Sequence, residues 1–137
     1  MAVYKNFEIT QYFLDSNPNA YFIFGDNVER RGYSGAAKLR DHPHALGFIT
    51  KKFPDNRDTS FYHVEEYTEV FFEELEKLVR TVKSRSDKTF YISKLGSCLA
   101  NRYQIWELLI EPNLIQRLKD LDNVVFCWKE SLVSKLS

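Results

Sequence analysis

Apolar residues follow two rhythms along this chain. The first is the short uninterrupted run: Ala20-Tyr21-Phe22-Ile23-Phe24, Phe90-Tyr91-Ile92-Ser93 and residues 123–128 show no alternation with polar side chains. Such runs fit strands buried on both faces, so the three are predicted to be neighbours inside a sheet. The second rhythm is helical. Val64, Tyr67, Phe71, Leu75, Leu78 and Val82 recur at steps of three or four, while Glu65, Glu66, Glu69, Glu73 and Glu76 fall mainly off that face. This predicts one long amphipathic helix with a solvated acidic side. Trp106, Leu109, Ile110, Leu114, Leu118 and Leu121 repeat the pattern. Asn101 is its predicted N-cap, with Gln104 placed as in a capping box, and Pro112 should kink or divide it.

Weaker signals fill the gaps. Residues 3–9 are read as a short edge strand, Thr10 as the cap of a brief helix to Leu14, and residues 47–50 as another strand. Ser34 is placed as N-cap of a helix running to about Arg40, which His42-Pro43 stops. Residues 51–63, rich in Pro, Asp, Asn and Arg, are read as an irregular loop. Strands and helices alternate throughout. The expected fold is therefore a single α/β domain over residues 1–137, a three-layer α/β/α arrangement with a mostly parallel sheet covered by helices on both faces.

Glycine placement adds chemistry to this outline. Four of the five glycines lie between Gly25 and Gly47, and the fifth, Gly96, follows the apolar run at 90–93. Each group sits between a predicted strand and a predicted helix, where α/β proteins hold phosphate-bearing ligands on backbone amides. Two such loops could grip one ligand between them.

Charge supports the first loop. The chain is formally neutral, which argues against wholesale nucleic-acid or membrane binding, yet residues 25–57 hold seven basic side chains against four acidic ones, a local +3. Arg31, beside Gly32, is the chosen phosphate contact. Asp26-Asn27 fits either a turn bonding its own backbone or a ribose contact. Lys51 and Lys52 read as site residues or as solvated charges at a strand end. Cys98 tempts as a nucleophile near a helix start, but is read as a small inert core residue. The two cysteines and His42, His44 and His63 show no metal-ligand spacing, so neither metal nor cofactor is expected. No secretory leader and no run of about 20 apolar residues appears, and the expected setting is the reduced cytoplasm.

The segments Phe24-Gly25-Asp26-Asn27, Arg31-Gly32-Tyr33-Ser34-Gly35-Ala36-Ala37 and Gly47-Phe48-Ile49-Thr50-Lys51-Lys52 resemble those of an uncharacterised family of small bacterial and phage proteins. More distantly, the chain is similar to macro domains. In that comparison Ile92-Ser93-Lys94-Leu95-Gly96-Ser97-Cys98-Leu99 resembles a loop of the branch that includes the terminal ADP-ribose glutamate hydrolases. The resemblance implies an ADP-ribose-like ligand. Gly25, Asp26, Asn27, Arg31, Gly32, Ser34, Gly35 and Ala36 would contact it from one loop, and Gly96, Ser97, Cys98, Leu99, Asn101 and Arg102 from the other. Asn27 matches a position that faces the distal ribose, and Lys51 a lysine that attacks the ribose C1 carbon. The hydrolytic branch has glycine where this chain has Cys98 and aspartate where it has Ala100. Its lysine–aspartate pair is thus missing, and binding is the expected activity. Hydrolysis by Lys51 with Asp26 or Asn27, and a non-catalytic interaction protein, are the alternatives.

Overall fold

Parallel strands need crossover connections, and this chain supplies one between each strand and the next. The computed structural model describes residues 1–130; positions 131–137, which the predicted domain includes, lie outside the described residues. Five strands, β1 (Val3–Tyr4), β2 (Ala20–Asn27), β3 (Ala45–Lys51), β4 (Thr89–Ile92) and β5 (Val124–Phe126), form one sheet in the order β1-β5-β4-β2-β3, with every pairing parallel. The three runs without polar alternation are the three interior strands.

Helices cover both faces, making three layers. On one face lie α2 (Val64–Ser84) and α3 (Glu111–Leu118), whose apolar sides pack with Ile23, Phe90, Ile92 and Phe126. On the other, α1 (Gln11–Ser16) and a 3-10 turn at Gly35–Leu39 bury Leu14, Ala37 and Leu39 against Phe22 and Phe24. Successive β2 side chains thus enter opposite cores, which is why its sequence shows no polar alternation.

The long helix follows its predicted face: Tyr67, Phe71, Leu75, Leu78 and Val82 are buried. Each such side chain stabilises the fold by about 1.5–3 kcal/mol through burial. Glu66 accepts the His63 N–H at 3.1 Å where the helix begins. One acid leaves the solvated side. Glu74 is buried and accepts the Ile49 N–H at 2.8 Å, while the Tyr67 hydroxyl donates to the Ile49 carbonyl.

Local geometry overrides sequence pattern in four places. β1 covers two residues rather than 3–9, because a tight turn, Phe7 N–H to Lys5 O at 2.9 Å, lifts the chain off β5. The segment after Ser34 is 3-10, not α. Gly35 enters it at φ +57, outside the right-handed region, and the Ser34 side chain makes no capping bond. The predicted Asn101–Gln104 capping box does not form, since Gln104 has φ +60 and interrupts any helix from Asn101. Instead Asn101 Oδ1 accepts the Trp106 N–H at 2.9 Å, and a π turn, Trp106–Ile110, leads into α3. Pro112 then sits at the start of α3, directly after the π turn. Thr10 does cap α1, its hydroxyl accepting the Phe13 N–H at 3.1 Å. Among the described residues no helix is long and apolar enough to cross a membrane.

Candidate functional site

In an open parallel sheet the crevice beyond the carboxyl ends of the strands is where ligands bind. Here β2, β3 and β4 end on a cleft of about 340 Å³. Its walls come from residues 31–36, after β2, and residues 93–100, after β4, so the two glycine loops face one another. Gly25, Asp26, Asn27, Arg31, Gly32, Ser34, Gly35, Ala36, Lys51, Gly96, Ser97, Cys98 and Leu99 all line it. Asn101 and Arg102 do not. Asn101 is spent on the Trp106 N–H and on Glu107, and Arg102 turns to Asp58 at 3.2 Å and to the face of Phe61.

Charge within the cleft is one-sided. Arg31, Arg40, Lys51 and Lys94 line it against a single acid, Asp26. That acid is neutralised from within the protein. Asp26 is buried, and its Oδ1 accepts from the Asn27 N–H at 2.8 Å and Arg40 Nη2 at 2.6 Å. Its Oδ2 accepts from Arg40 Nη1 at 3.0 Å and Arg30 Nη1 at 3.3 Å. A carboxylate shared by two guanidiniums has no oxygen left for proton transfer. Asp26 is therefore an anchor rather than the acid/base that the sequence offered. Arg40, which sequence reasoning passed over, extends the anchor: its Nε donates to the Gly32 carbonyl at 2.8 Å, fixing the middle of the first loop. Only the local surplus of positive charge pointed toward it.

Asn27 is held differently. Its Nδ2 donates to the Arg31 carbonyl at 2.7 Å, whereas its Oδ1 is buried with no hydrogen-bond partner among the described residues. An unsatisfied buried acceptor costs about 1–3 kcal/mol, so this oxygen is poised for a donor from outside.

Lys51 is half-buried, with Nζ 4.9 Å from the centre of the Phe61 ring. Burial lowers the pKa of its amine; Asp55 opposes this and the Arg102 charge adds to it. Arg102 thus acts on the cleft from outside it, with its guanidinium carbon 4.1 Å from the same ring. Lys52 takes no part, being paired with Glu66 at 2.9 Å. Arg31 is exposed and forked onto Glu29 at 2.9 and 3.3 Å.

The opposite wall is built from apolar packing. Leu95 is buried in the core, and Gly96 turns at φ +69 in a tight space, where a Cβ would lie 3.0 Å from Ile110 Cδ1. Beyond that turn the chain runs along the rim. This makes Cys98 exposed, not the core residue expected. The largely buried cysteine is Cys127, whose thiol burial pushes up to about 12.

A second cavity of about 480 Å³ adjoins the cleft, sharing Gly35, Ala36, Ser93 and Lys94 with it and walled by Phe7, Ile9 and Phe22. A Cβ at Gly35 would meet nothing within 4 Å, so there is open space beside this shared residue. A hollow of about 410 Å³ at the other end of β3 is lined by Asp15, Asp41, His42 and His44; there His42 Nε2 is tied to Asp15 at 2.9 Å. No group of three or more His, Cys, Asp and Glu that could hold a metal ion occurs among the described residues.

No curated protein and no solved structure matches the chain. Residues 4–101 do match a family, and that stretch carries both loops, Asp26, Asn27, Arg40 and Lys51. Covering more than half of the sequence, the match places the chain in DUF7831, a family of unknown function.

Proposed function

We propose that the cleft binds ADP-ribose or a closely related nucleoside diphosphate sugar. The observation that carries this reading is the unpartnered Asn27 Oδ1 buried in a cationic cleft. A ligand suited to both must bring anionic oxygens for the lysines and arginines and a hydroxyl donor for the amide oxygen. A sugar joined to a diphosphate has both. The adjoining cavity with Phe7, Ile9 and Phe22 offers an apolar berth for a base reached past Gly35. The resemblance of the glycine loops to macro domains favours the same ligand. Two unpaired cysteines suit a cytoplasmic setting.

Calorimetric titration with ADP-ribose, ADP and ribose 5-phosphate tests the reading. ADP-ribose should bind tightest, Asn27→Ala should weaken it about tenfold, the usual worth of one hydrogen bond, and Cys98→Ser should leave it unchanged. Absence of ADP-ribose binding by the unaltered protein overturns the proposal.

A catalytic reading is favoured by one observation, the depressed pKa of Lys51 in the cleft wall. A neutral amine is the form that attacks a sugar C1 carbon. With Ala100 in place of the acid and Asp26 engaged by arginines, turnover should be slow. Borohydride trapping of an adduct in the wild type, lost in Lys51→Ala, would establish it; robust turnover by Lys51→Ala would eliminate it.

A further inference from the structure

Arg30 lies outside the cleft, yet it reaches more of the scaffold than any cleft-facing residue of its loop. Its backbone has φ +55, a left-handed conformation that a residue with a Cβ keeps only when its surroundings hold it there. Its side chain bridges two buried acids: Nη1 lies 3.3 Å from Asp26 Oδ2, and Nη2 lies 3.4 Å from Glu74 Oε1. Those carboxylates belong to β2 and α2, and Glu74 also grips the Ile49 N–H of β3. One side chain therefore ties the loop to two elements directly and, through Glu74, to a third.

We propose that Arg30 is the positioning residue of the cleft: its bridge from Asp26 to Glu74 holds residues 28–34 in the conformation that presents Arg31, Gly32 and Ser34 to the ligand. Arg40 fixes the loop at Gly32, and the Asn27 amide fixes it at Arg31. Without Arg30, the bonds described between residues 28–30 and the rest of the fold are backbone ones, from Val28 N–H to the Lys51 and Lys52 carbonyls and from Arg30 N–H to the Asn27 carbonyl. Asn27 also joins the two events. Its NH₂ holds the loop while its oxygen awaits the ligand, so a ligand hydroxyl and the Arg30 bridge favour the same loop conformation. The inference rests on the proposed function only for the choice of ligand probe.

Amide hydrogen exchange of the ligand-free full chain, read on residues 28–35, tests the bridge. Arg30→Ala and Arg30→Gly should both exchange at least about tenfold faster there, the factor expected for one lost charge-assisted hydrogen bond, with the buried face of α2 unchanged. Glu74→Gln, which keeps an acceptor for the Ile49 N–H, should loosen the same amides. The double variant Arg30→Ala/Glu74→Gln should go no further than Arg30→Ala. Titration with ADP-ribose then tests positioning: affinity should fall with Arg30→Ala and recover in part with Arg30→Lys. Wild-type exchange in Arg30→Ala, or additive loosening in the double variant, overturns the bridge. A loosened loop with unchanged ADP-ribose affinity overturns the positioning role. A loosened loop in a protein that never binds ADP-ribose sinks the ligand assignment and leaves the bridge standing.

Discussion

The two loops that face each other across the cleft are held in place by different forces. Residues 28–34 are fastened by arginines that converge on Asp26, while residues 93–100 are plugged into the core by Leu95 and turned at Gly96 against Ile110. Ion pairs can exchange partners without emptying a core, so the first wall can adjust to a ligand. The second behaves as part of the hydrophobic interior and supplies a fixed surface.

Removing the anchor should have the largest effect. Asp26→Ala leaves Arg40, whose side chain is 12% exposed, without its carboxylate, and breaking one side of such a buried pair costs about 3–5 kcal/mol. Chemical denaturation measures this directly. A loss below about 1 kcal/mol would mean that charge is not what holds the first wall.

Alanine at Gly35 and at Gly96, one left-handed glycine from each wall, should separate the walls next. At Gly35 the cost is backbone strain alone, about 1–2 kcal/mol, because a methyl group there enters open space. At Gly96 the same strain is joined by overpacking against Ile110 and Ile105, another 1–3 kcal/mol or so. Equal destabilisation by Gly35→Ala and Gly96→Ala would erase the distinction between an adjustable wall and a packed one.

The mildest probe is thiol alkylation at pH 8. Cys98, on the rim of the second wall, should react readily with iodoacetamide and leave the fold intact. Cys127, with its thiol pushed up to about 12, should resist. At pH 8 only about one part in ten thousand of such a thiol is thiolate. Equal labelling rates would show that the rim packs more tightly than the structure has it.

β2 shows how far the sequence could be read. Its apolar half, residues 20–24, is legible because burial on two faces forces an unbroken run of large side chains. Its polar half is not, because a glycine followed by Asp26-Asn27 has the local signature of a turn. The strand continues to Asn27 because Arg30 and Arg40 neutralise Asp26, and no local rule anticipates partners 4 and 14 residues away. The long helix was legible for the opposite reason, since its periodicity needs no distant partner. Glu74 breaks that pattern only because it meets a backbone N–H from another element. Cys98 and the missing capping box misled for one reason: single residues in left-handed conformation redirect the chain, Gly96 just before Cys98 and Gln104 within the box itself. The second loop therefore shared the cleft as expected, while the orientation of its side chains did not follow.

The paired grip of α2 on Ile49 also bears on how the molecule meets copies of itself. β3 is the last strand of the sheet on its side, and the outward-facing peptide of such a strand is a template for pairing with a strand from another molecule. Here the template is already occupied: the Tyr67 hydroxyl fills the carbonyl and the Glu74 carboxylate fills the N–H of Ile49. Strand addition at that point would have to displace both and take from a buried acid its shortest hydrogen bond. The helix that builds the core therefore also covers this edge of the sheet at Ile49.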